Sequence, residues 1–158
     1  MHKNTKIIIF LLSAILISCS NCDLKKEQAK NKQANEALTL SASYEKVNEN
    51  DIESYRFDVK AKRNKVVEGE YFPSSQTIAL TITDEYGKML YNSSMGTMFM
   101  DIIETVYPEN ISEEHTYSII WNGKDMKGNH LPNGKYKAML LLPAIPNPYA
   151  TDIEMEIE

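Results

Sequence analysis

Short segments in which apolar and polar residues alternate recur along the chain after residue 37. From Thr77 to Thr83, one face carries Ile78, Leu80 and Ile82, while threonine and alanine occupy the other. A period of two with β-branched residues is typical of a strand with one buried face. Other candidate strands lie at residues 38–44, 55–61, 66–67, 88–92, 99–106, 115–122, 135–142 and 153–157.

Many short strands with polar turns between them favour packed sheets over a helical fold. No segment after residue 36 shows the 3.6-residue period of an amphipathic helix. Asp84 and Gly87 suit a tight hairpin turn, because Asp bonds to its own downstream backbone and Gly tolerates positive φ. We therefore predict an all-β, immunoglobulin-like antiparallel β-sandwich of about seven to nine strands.

The first residues have the pattern of a bacterial export signal. Two lysines precede an apolar run of 11 residues, Ile7 to Ile17, which is too short to span a membrane and suits the core of a signal peptide. The run leads into Leu16-Ile17-Ser18-Cys19, which is similar to a lipobox. We predict a signal peptide at residues 1–18 and a lipid on Cys19; an uncleaved anchor or a buried helix is the alternative.

The rest of the chain divides into a tether and a domain. Residues 19–37 are polar and offer little that could pack, so we predict a flexible tether. Residues 38–158 suit a single domain, which we expect to hold firm loops away from the lipid. Because Cys22 lies in the tether, no disulfide is predicted within the domain.

Charge excludes some classes of function. The formal net charge is −5, and removal of residues 1–18, which hold two lysines and no acid, makes it −7. An acidic chain without a basic cluster is a poor candidate for nucleic acid, and only the lipid is expected to hold it to a membrane. The predicted location is the bacterial cell envelope, on the outer membrane, facing the periplasm or exposed at the surface.

Residues that could support catalysis are sparse. His115 and His130 have no second His or Cys at the spacing of a zinc site, and we expect both at the surface. The sequence contains no nucleophile elbow and no phosphate-binding loop. We therefore expect neither an enzyme nor a bound metal or other cofactor.

Four short motifs follow one another in order. They are Phe72 to Gln76 (F-x-S-x-Q), Asp84 to Gly87 (D-x-x-G), the Met98-Phe99 pair, and Trp121 to Tyr136 (W-x-x-K-D-x-x-G-x-x-L-P-x-G-x-Y). Together they resemble the Bacillus intracellular proteinase inhibitor (BsuPI-like) family, and the export signal is the main departure. The chain is more weakly similar, in size and in predicted cellular location, to the potempins, lipid-anchored inhibitors of some oral bacteria.

The resemblance implies an inhibitor that docks a rigid loop in the cleft of a secreted protease, with a subtilisin-like serine protease as the expected target. An ordered loop loses little entropy on binding, and an exposed apolar side chain can fill the main pocket. The first candidate is residues 93–100, with Met95, Gly96, Thr97 and Met98 as contacts. The alternative is that Met98 and Phe99 begin a strand and pack in the core, which we favour for Phe99.

Two further loops are candidates. In residues 143–149, prolines stiffen an extended segment that offers Ile145, Pro146 and Tyr149 as contacts; the alternative is a rigid connector between strands. Residues 124–133 are better explained as a hairpin turn.

A second class of function also fits the sequence: an immunoglobulin-like domain on a lipid tether could bind or scaffold another envelope protein without inhibiting a protease.

Overall fold

The structure, a computed structural model, describes residues 37–49 and 52–158. Its regular elements are all strands: β1 (Leu38–Glu49), β2 (Ile52–Arg63), β3 (Ala79–Thr83), β4 (Met89–Asn92), β5 (Glu114–Trp121), β6 (Gly134–Leu142) and β7 (Tyr149–Ile157). The predicted signal peptide, Cys19 and the tether as far as Glu36 lie outside the described residues. Within those residues, no helix has the length and apolarity that a membrane span requires.

The strands form two antiparallel sheets, which confirms the prediction of an all-β, seven- to nine-stranded fold. One sheet has the order β1-β2-β5, with Leu38 opposite Arg63 and Tyr55 opposite Trp121. The other has the order β4-β3-β6-β7, with Leu80 opposite Leu140. Successive strands share a sheet in three places, β1–β2, β3–β4 and β6–β7. The connections β2–β3, β4–β5 and β5–β6 cross from one sheet to the other.

The core lies between the two sheets, and alternation along each strand supplies it. The predicted inward face of β6 is buried, as is the face of β2 that carries aromatic and aliphatic residues. Both faces join one apolar cluster. Its members from β2 and β6 are Tyr55, Phe57, Val59, Ala61, Tyr136, Ala138, Leu140 and Leu142. Trp121 lies in the same cluster.

The turn between β3 and β4 has the predicted chemistry. The Asp84 Oδ1 atom accepts hydrogen bonds from the N–H groups of Tyr86 (3.0 Å) and Lys88 (2.9 Å). Gly87 has a φ of +79°, a left-handed conformation that costs a residue without a side chain little. The carboxylate thus supplies the hydrogen-bond acceptor that these two N–H groups of the turn would otherwise lack.

Two predicted strands are absent from the described residues. Val66-Val67 lies in an irregular connection, and residues 99–106 pair with a neighbouring segment only at a Phe72–Glu104 bridge. In an antiparallel ladder the next bonded pair would be Ser74 with Ile102. The Ile102 N–H instead donates to the Met100 carbonyl (3.1 Å), so the ladder stops after one pair.

Three long connections gather at one end of the two-sheet structure. Residues 64–78 join β2 to β3, residues 93–113 join β4 to β5, and residues 143–148 join β6 to β7. The strand pairing brings all three connections to the same end. We call this the loop end. The described chain also enters there, because the Ala37 carbonyl accepts from the Asn64 N–H (2.9 Å). The described chain therefore begins beside the loops, and Ala37, which was predicted to end the tether, is a core residue.

Replacement of a central core residue should show how much the interface between the sheets contributes to stability. Phe57 is completely buried in β2, so we expect Phe57→Ala to lower the free energy of unfolding by about 3–5 kcal/mol. The control is Tyr86→Ala in the exposed β3–β4 turn, which should change it by less than about 0.5 kcal/mol. Urea denaturation measures both, and equal losses would contradict this account of the core.

Candidate functional site

The loop end carries a run of exposed apolar side chains. Met98 is 98% exposed, Ile103 is 78% exposed and Met95 is 54% exposed. The others in the run are Phe99, Met100 and Ile102. We call residues 93–103 the methionine loop; its single charged residue is Asp101. Contiguous exposed apolar surface commonly marks an interaction site, so the loop is the leading candidate in the described part of the chain.

The backbone of the methionine loop is held at its first residues. The Ser93 N–H donates to the Leu80 carbonyl (2.9 Å), and the Leu80 N–H donates to the Ser93 Oγ atom (2.9 Å). The Gln76 side-chain amide donates to the Ser94 Oγ atom (2.7 Å). These bonds continue the β3–β4 pairing past the strand ends and fix where the loop leaves the sheet.

The second half of the loop is held along residues 72–76. The Ser75 N–H donates to the Met100 carbonyl (3.0 Å), and the Met100 N–H donates to the Ser75 Oγ atom (3.0 Å). Phe72 and Glu104 then exchange two backbone bonds (2.8 and 3.1 Å). The backbone of the loop is therefore anchored on both sides, while its methionine side chains remain exposed.

The predicted contacts in this loop are all accessible. Met95 lies in a turn in which its N–H donates to the Asn92 carbonyl (3.2 Å). Gly96 has a φ of +74°, which turns the chain before Thr97 and Met98. Phe99, expected in the core, is partly exposed (37%). The core alternative is therefore wrong for Met98, and for Phe99 it fails because no strand forms there.

The second predicted loop lies beside the first. Tyr71 and Ile145 exchange backbone bonds (2.8 and 3.1 Å), while the neighbouring Phe72 pairs with Glu104. Residues 71–72 thus lie between the two candidate loops and set their spacing. Ile145 and Pro146 are exposed. Both predicted loops therefore contribute to one surface, through Ile145 and Pro146 from the second and Met95 to Ile103 from the first.

Tyr149 does not belong to that surface. Its side chain is 1% exposed, since Tyr149 is the first residue of β7 and points into the core. Its hydroxyl donates to the Glu70 carboxylate. Burial and this hydrogen bond raise the pKa of the Tyr149 phenol. The expectation that Tyr149 is an exposed anchor is therefore wrong, and its function here is to hold Glu70.

Glu70 belongs to a buried network centred on Arg63. The Arg63 Nη2 atom donates to the Glu70 Oε2 atom (2.6 Å), and its Nε atom donates to the Pro108 carbonyl (2.7 Å). Nη2 also lies 3.2 Å from the Val106 carbonyl, which accepts from it. The side chains of Arg63 and Glu70 are 2% and 6% exposed. One ion pair therefore joins the end of β2, the start of β7 and the connection that follows the methionine loop.

Tyr117 fixes the same connection from β5. Its hydroxyl donates to the Tyr107 carbonyl (2.8 Å) and accepts from the Tyr107 N–H (2.8 Å). Burial raises the pKa of Tyr117 to about 12. His115, expected at the surface, is partly buried because its ring packs between Tyr107 and Tyr117, with centroid distances of 5.3 and 4.6 Å.

The third predicted loop is a hairpin turn beside the methionine loop. The Asp125 Oδ1 atom accepts from the N–H groups of Lys127 (2.9 Å) and Asn129 (2.8 Å), and these bonds, the Asn129 one first, lower the pKa of Asp125. The turn packs on β4, since the Met126 N–H donates to the Leu90 carbonyl (3.0 Å). A groove of about 540 Å³ separates it from Met95 and Thr97.

Sequence patterns alone missed the residues that order the loops. Gln76 is a fixed position of the F-x-S-x-Q motif and Ser75 an unspecified one, so the motif was a signal for Gln76 only, and nothing local indicates the partners of either residue. Arg63 and Glu70 appear as ordinary surface charges in the sequence. Among the described residues, no group of three His, Cys, Asp or Glu side chains is arranged to hold a metal ion.

Comparison with known proteins identifies a family. A family model described as BsuPI, intracellular proteinase inhibitor, matches residues 38–146. The match covers more than half of the chain and includes β1 to β6, the methionine loop and most of the second loop. No curated protein matches the chain significantly.

The buried Tyr117 phenol should make stability depend on alkaline pH. The ordinary pKa of tyrosine is 10, and in the folded domain that of Tyr117 is about 12. Between these values the unfolded chain loses the proton while the folded chain keeps it, so stability falls as the pH rises from 10 to 12. Tyr117→Phe should reduce this fall, at a cost of about 1–3 kcal/mol near neutral pH. Urea denaturation of both proteins at pH 8 and 11 tests this; an unchanged difference between the two pH values would contradict it.

Proposed function

The chain belongs to the BsuPI family of intracellular proteinase inhibitors, and from this premise we propose that it blocks a secreted, subtilisin-like serine protease with its methionine loop. Membership in the family makes the protein a proteinase inhibitor rather than an enzyme, and its partner a protease. What we propose beyond family membership is the class of protease, the loop that docks and the cellular location.

The observation that carries the proposal is the combination of free side chains with a fixed backbone. Met95, Met98 and Met100 are exposed, yet bonds from Gln76 and Ser75 hold the chain on both sides of them. Association costs conformational entropy, and a loop that is ordered beforehand loses less of it. Apolar side chains that meet a protease cleft then contribute most of the binding free energy.

The second loop extends the proposed contact. Ile145 and Pro146 lie beside the methionine loop because residues 71–72 pair with both segments. A protease that receives Met98 in its cleft would meet these two residues at its rim. In this proposal Tyr149 is a positioning residue: it holds Glu70 and, through Glu70, Arg63.

An immunoglobulin-like arrangement of the sheets is also part of the proposal. In immunoglobulin domains the first, second and fifth strands share one sheet, and the third, sixth and seventh share the other. The order here is the same, except that β4 joins β3 in the second sheet. The Tyr136 hydroxyl near the start of β6 donates to the Pro132 carbonyl (2.7 Å), which resembles the tyrosine corner of those domains.

We place the inhibitor at the bacterial cell envelope, attached through a lipid on Cys19. The apolar run Ile7–Ile17 and the lipobox-like residues 16–19 support this address. The family description names intracellular inhibitors, so export would give this member a different target pool. A tethered inhibitor in the envelope meets secreted proteases, including those of its own cell.

The main alternative is a binding or scaffold lipoprotein that uses the same sheets without inhibiting a protease. A flat strand face would then carry the interaction, and the methionine loop would be dispensable. The anchored loop favours inhibition, because rigidity in a long connection is of use to a molecule that must resist cleavage.

Inhibition assays with the full chain in detergent test the proposal directly. We expect sub-micromolar inhibition of a subtilisin-like protease. Met95→Asp should weaken it by about 30- to 100-fold, since burying an unpaired carboxylate costs about 2–3 kcal/mol. The matched control is Met89→Asp, at an exposed methionine that begins β4, outside the methionine loop, and the inhibition constant of this variant should not change.

Circular dichroism should show both variants folded. A folded wild-type chain that inhibits no protease in a panel of serine, cysteine and metalloproteases would contradict inhibition and support the scaffold alternative. Equal effects of Met95→Asp and Met89→Asp would place the binding surface outside the methionine loop.

The proposed anchor makes a separate prediction. In a bacterial host, Cys19→Ala should abolish incorporation of radiolabelled palmitate and move the protein out of the membrane fraction, because the thiol is the acylation site. Cys22→Ala is the control and should leave both unchanged. Membrane association of the Cys19→Ala chain equal to that of the wild type would argue for an uncleaved anchor.

A further inference from the structure

Met98 combines the greatest exposure in the methionine loop with a backbone that makes no hydrogen bond within the described part of the chain. Among the described residues, no backbone hydrogen bond is made by Thr97, Met98 or Phe99. Their N–H and C=O groups are therefore free to pair with another chain. Proteases bind their substrates in this way, as an extended segment with an exposed side chain at its centre.

The neighbouring candidates lack this combination. Met95 lies inside a turn closed by its own N–H and the Asn92 carbonyl. Ile103 adjoins Glu104, whose backbone is paired with Phe72, and Ile102 donates to Met100. A protease that paired with the backbone at Met95 or Ile102 would first have to break an existing bond, and Ile103 lies between residues that are already bonded, so binding there would be weaker.

The anchors leave a short free span around Met98. Ser94 is held by Gln76 and Met100 is held by Ser75, so five residues, 95–99, lie between the two fixed points. Gly96, with a φ of +74°, reverses the chain and directs the residues after it outward. A Cβ atom on Gly96 would meet nothing within 4 Å, so backbone conformation rather than crowding explains the glycine.

We propose that Met98 is the side chain that enters the primary specificity pocket of the target protease, with the Met98–Phe99 peptide bond lying across the active site. This rests on the proposed inhibitory function. The thioether is long, unbranched and uncharged, and residues 93–100 carry no charge. The target therefore has a deep apolar primary pocket rather than one that contains a carboxylate for Lys or Arg.

A change of the Met98 side chain should change which protease is inhibited. The probes are a subtilisin-type protease with an apolar primary pocket and trypsin, whose pocket contains a carboxylate. With the full chain in detergent, we expect Met98→Lys to weaken inhibition of the first by about 100-fold and to create inhibition of trypsin. Met98→Leu should stay within about fivefold of the wild type.

The matched control is Met139→Lys, which places the same charge at an exposed methionine of β6. It should change neither inhibition constant. Unfolding temperatures should agree among the variants, because the Met98 side chain is almost fully exposed and does not pack in the core.

The outcomes separate this inference from the proposed function. Suppose that the wild type and Met98→Lys inhibit the subtilisin-type protease equally well and that Met98→Lys does not inhibit trypsin. Met98 is then not the specificity residue, although the protein is still a protease inhibitor. If the wild-type chain inhibits neither this protease nor any other in the panel above, both proposals fall.

Discussion

The buried ion pair between Arg63 and Glu70 is the interaction on which the loop end depends. The guanidinium leaves β2 in one sheet, meets Glu70, and through Glu70 reaches Tyr149 in the other sheet. Two backbone carbonyls of the β4–β5 connection also accept from it, while its Nη1 atom is buried without a hydrogen-bond partner among the described residues. Burying an ion pair costs desolvation energy that its attraction only partly offsets, whereas leaving one charge alone costs about 3–5 kcal/mol. The network therefore adds little net stability, but it makes any other arrangement of these segments expensive.

The motifs that carry the family resemblance mostly act on the backbone. Phe72 is a core residue, the Ser74 Oγ atom accepts from the Gln76 N–H (3.2 Å), and Gln76 reaches across to Ser94. Tyr136 holds the turn before its own strand through Pro132. These residues fix the path of the chain, while the side chains of residues 95–99 contribute little to the core. Under the proposed function, fold and target choice are thus assigned to different residues, which allows the exposed ones to change without loss of the domain.

Most strands could be predicted because burial of one face imposes a period of two on the sequence, as in β2, β3 and β6. The same argument failed for residues 99–106, where apolar residues suggested a buried strand. Hydrophobicity records what a side chain would gain from burial and not whether a sheet has a free position for it. Tyr149 shows the opposite error, since its position among prolines suggested exposure. The anchors were not predictable either, because Arg63 and Pro108 are 45 residues apart in sequence and Gln76 and Ser94 are 18 apart.

The exposure of Met98 has a chemical consequence of its own. A thioether that solvent can reach is open to peroxide, which transfers one oxygen atom to the sulfur and leaves a polar, chiral sulfoxide. Met155 in β7 is shielded by the core, whereas Met95, Met98 and Met100 have no such protection. Oxidants would therefore modify Met98, the most exposed of the described methionines, first, and would leave the buried Met155 intact. A domain damaged in this way would remain folded, while its proposed protease-binding surface would become polar.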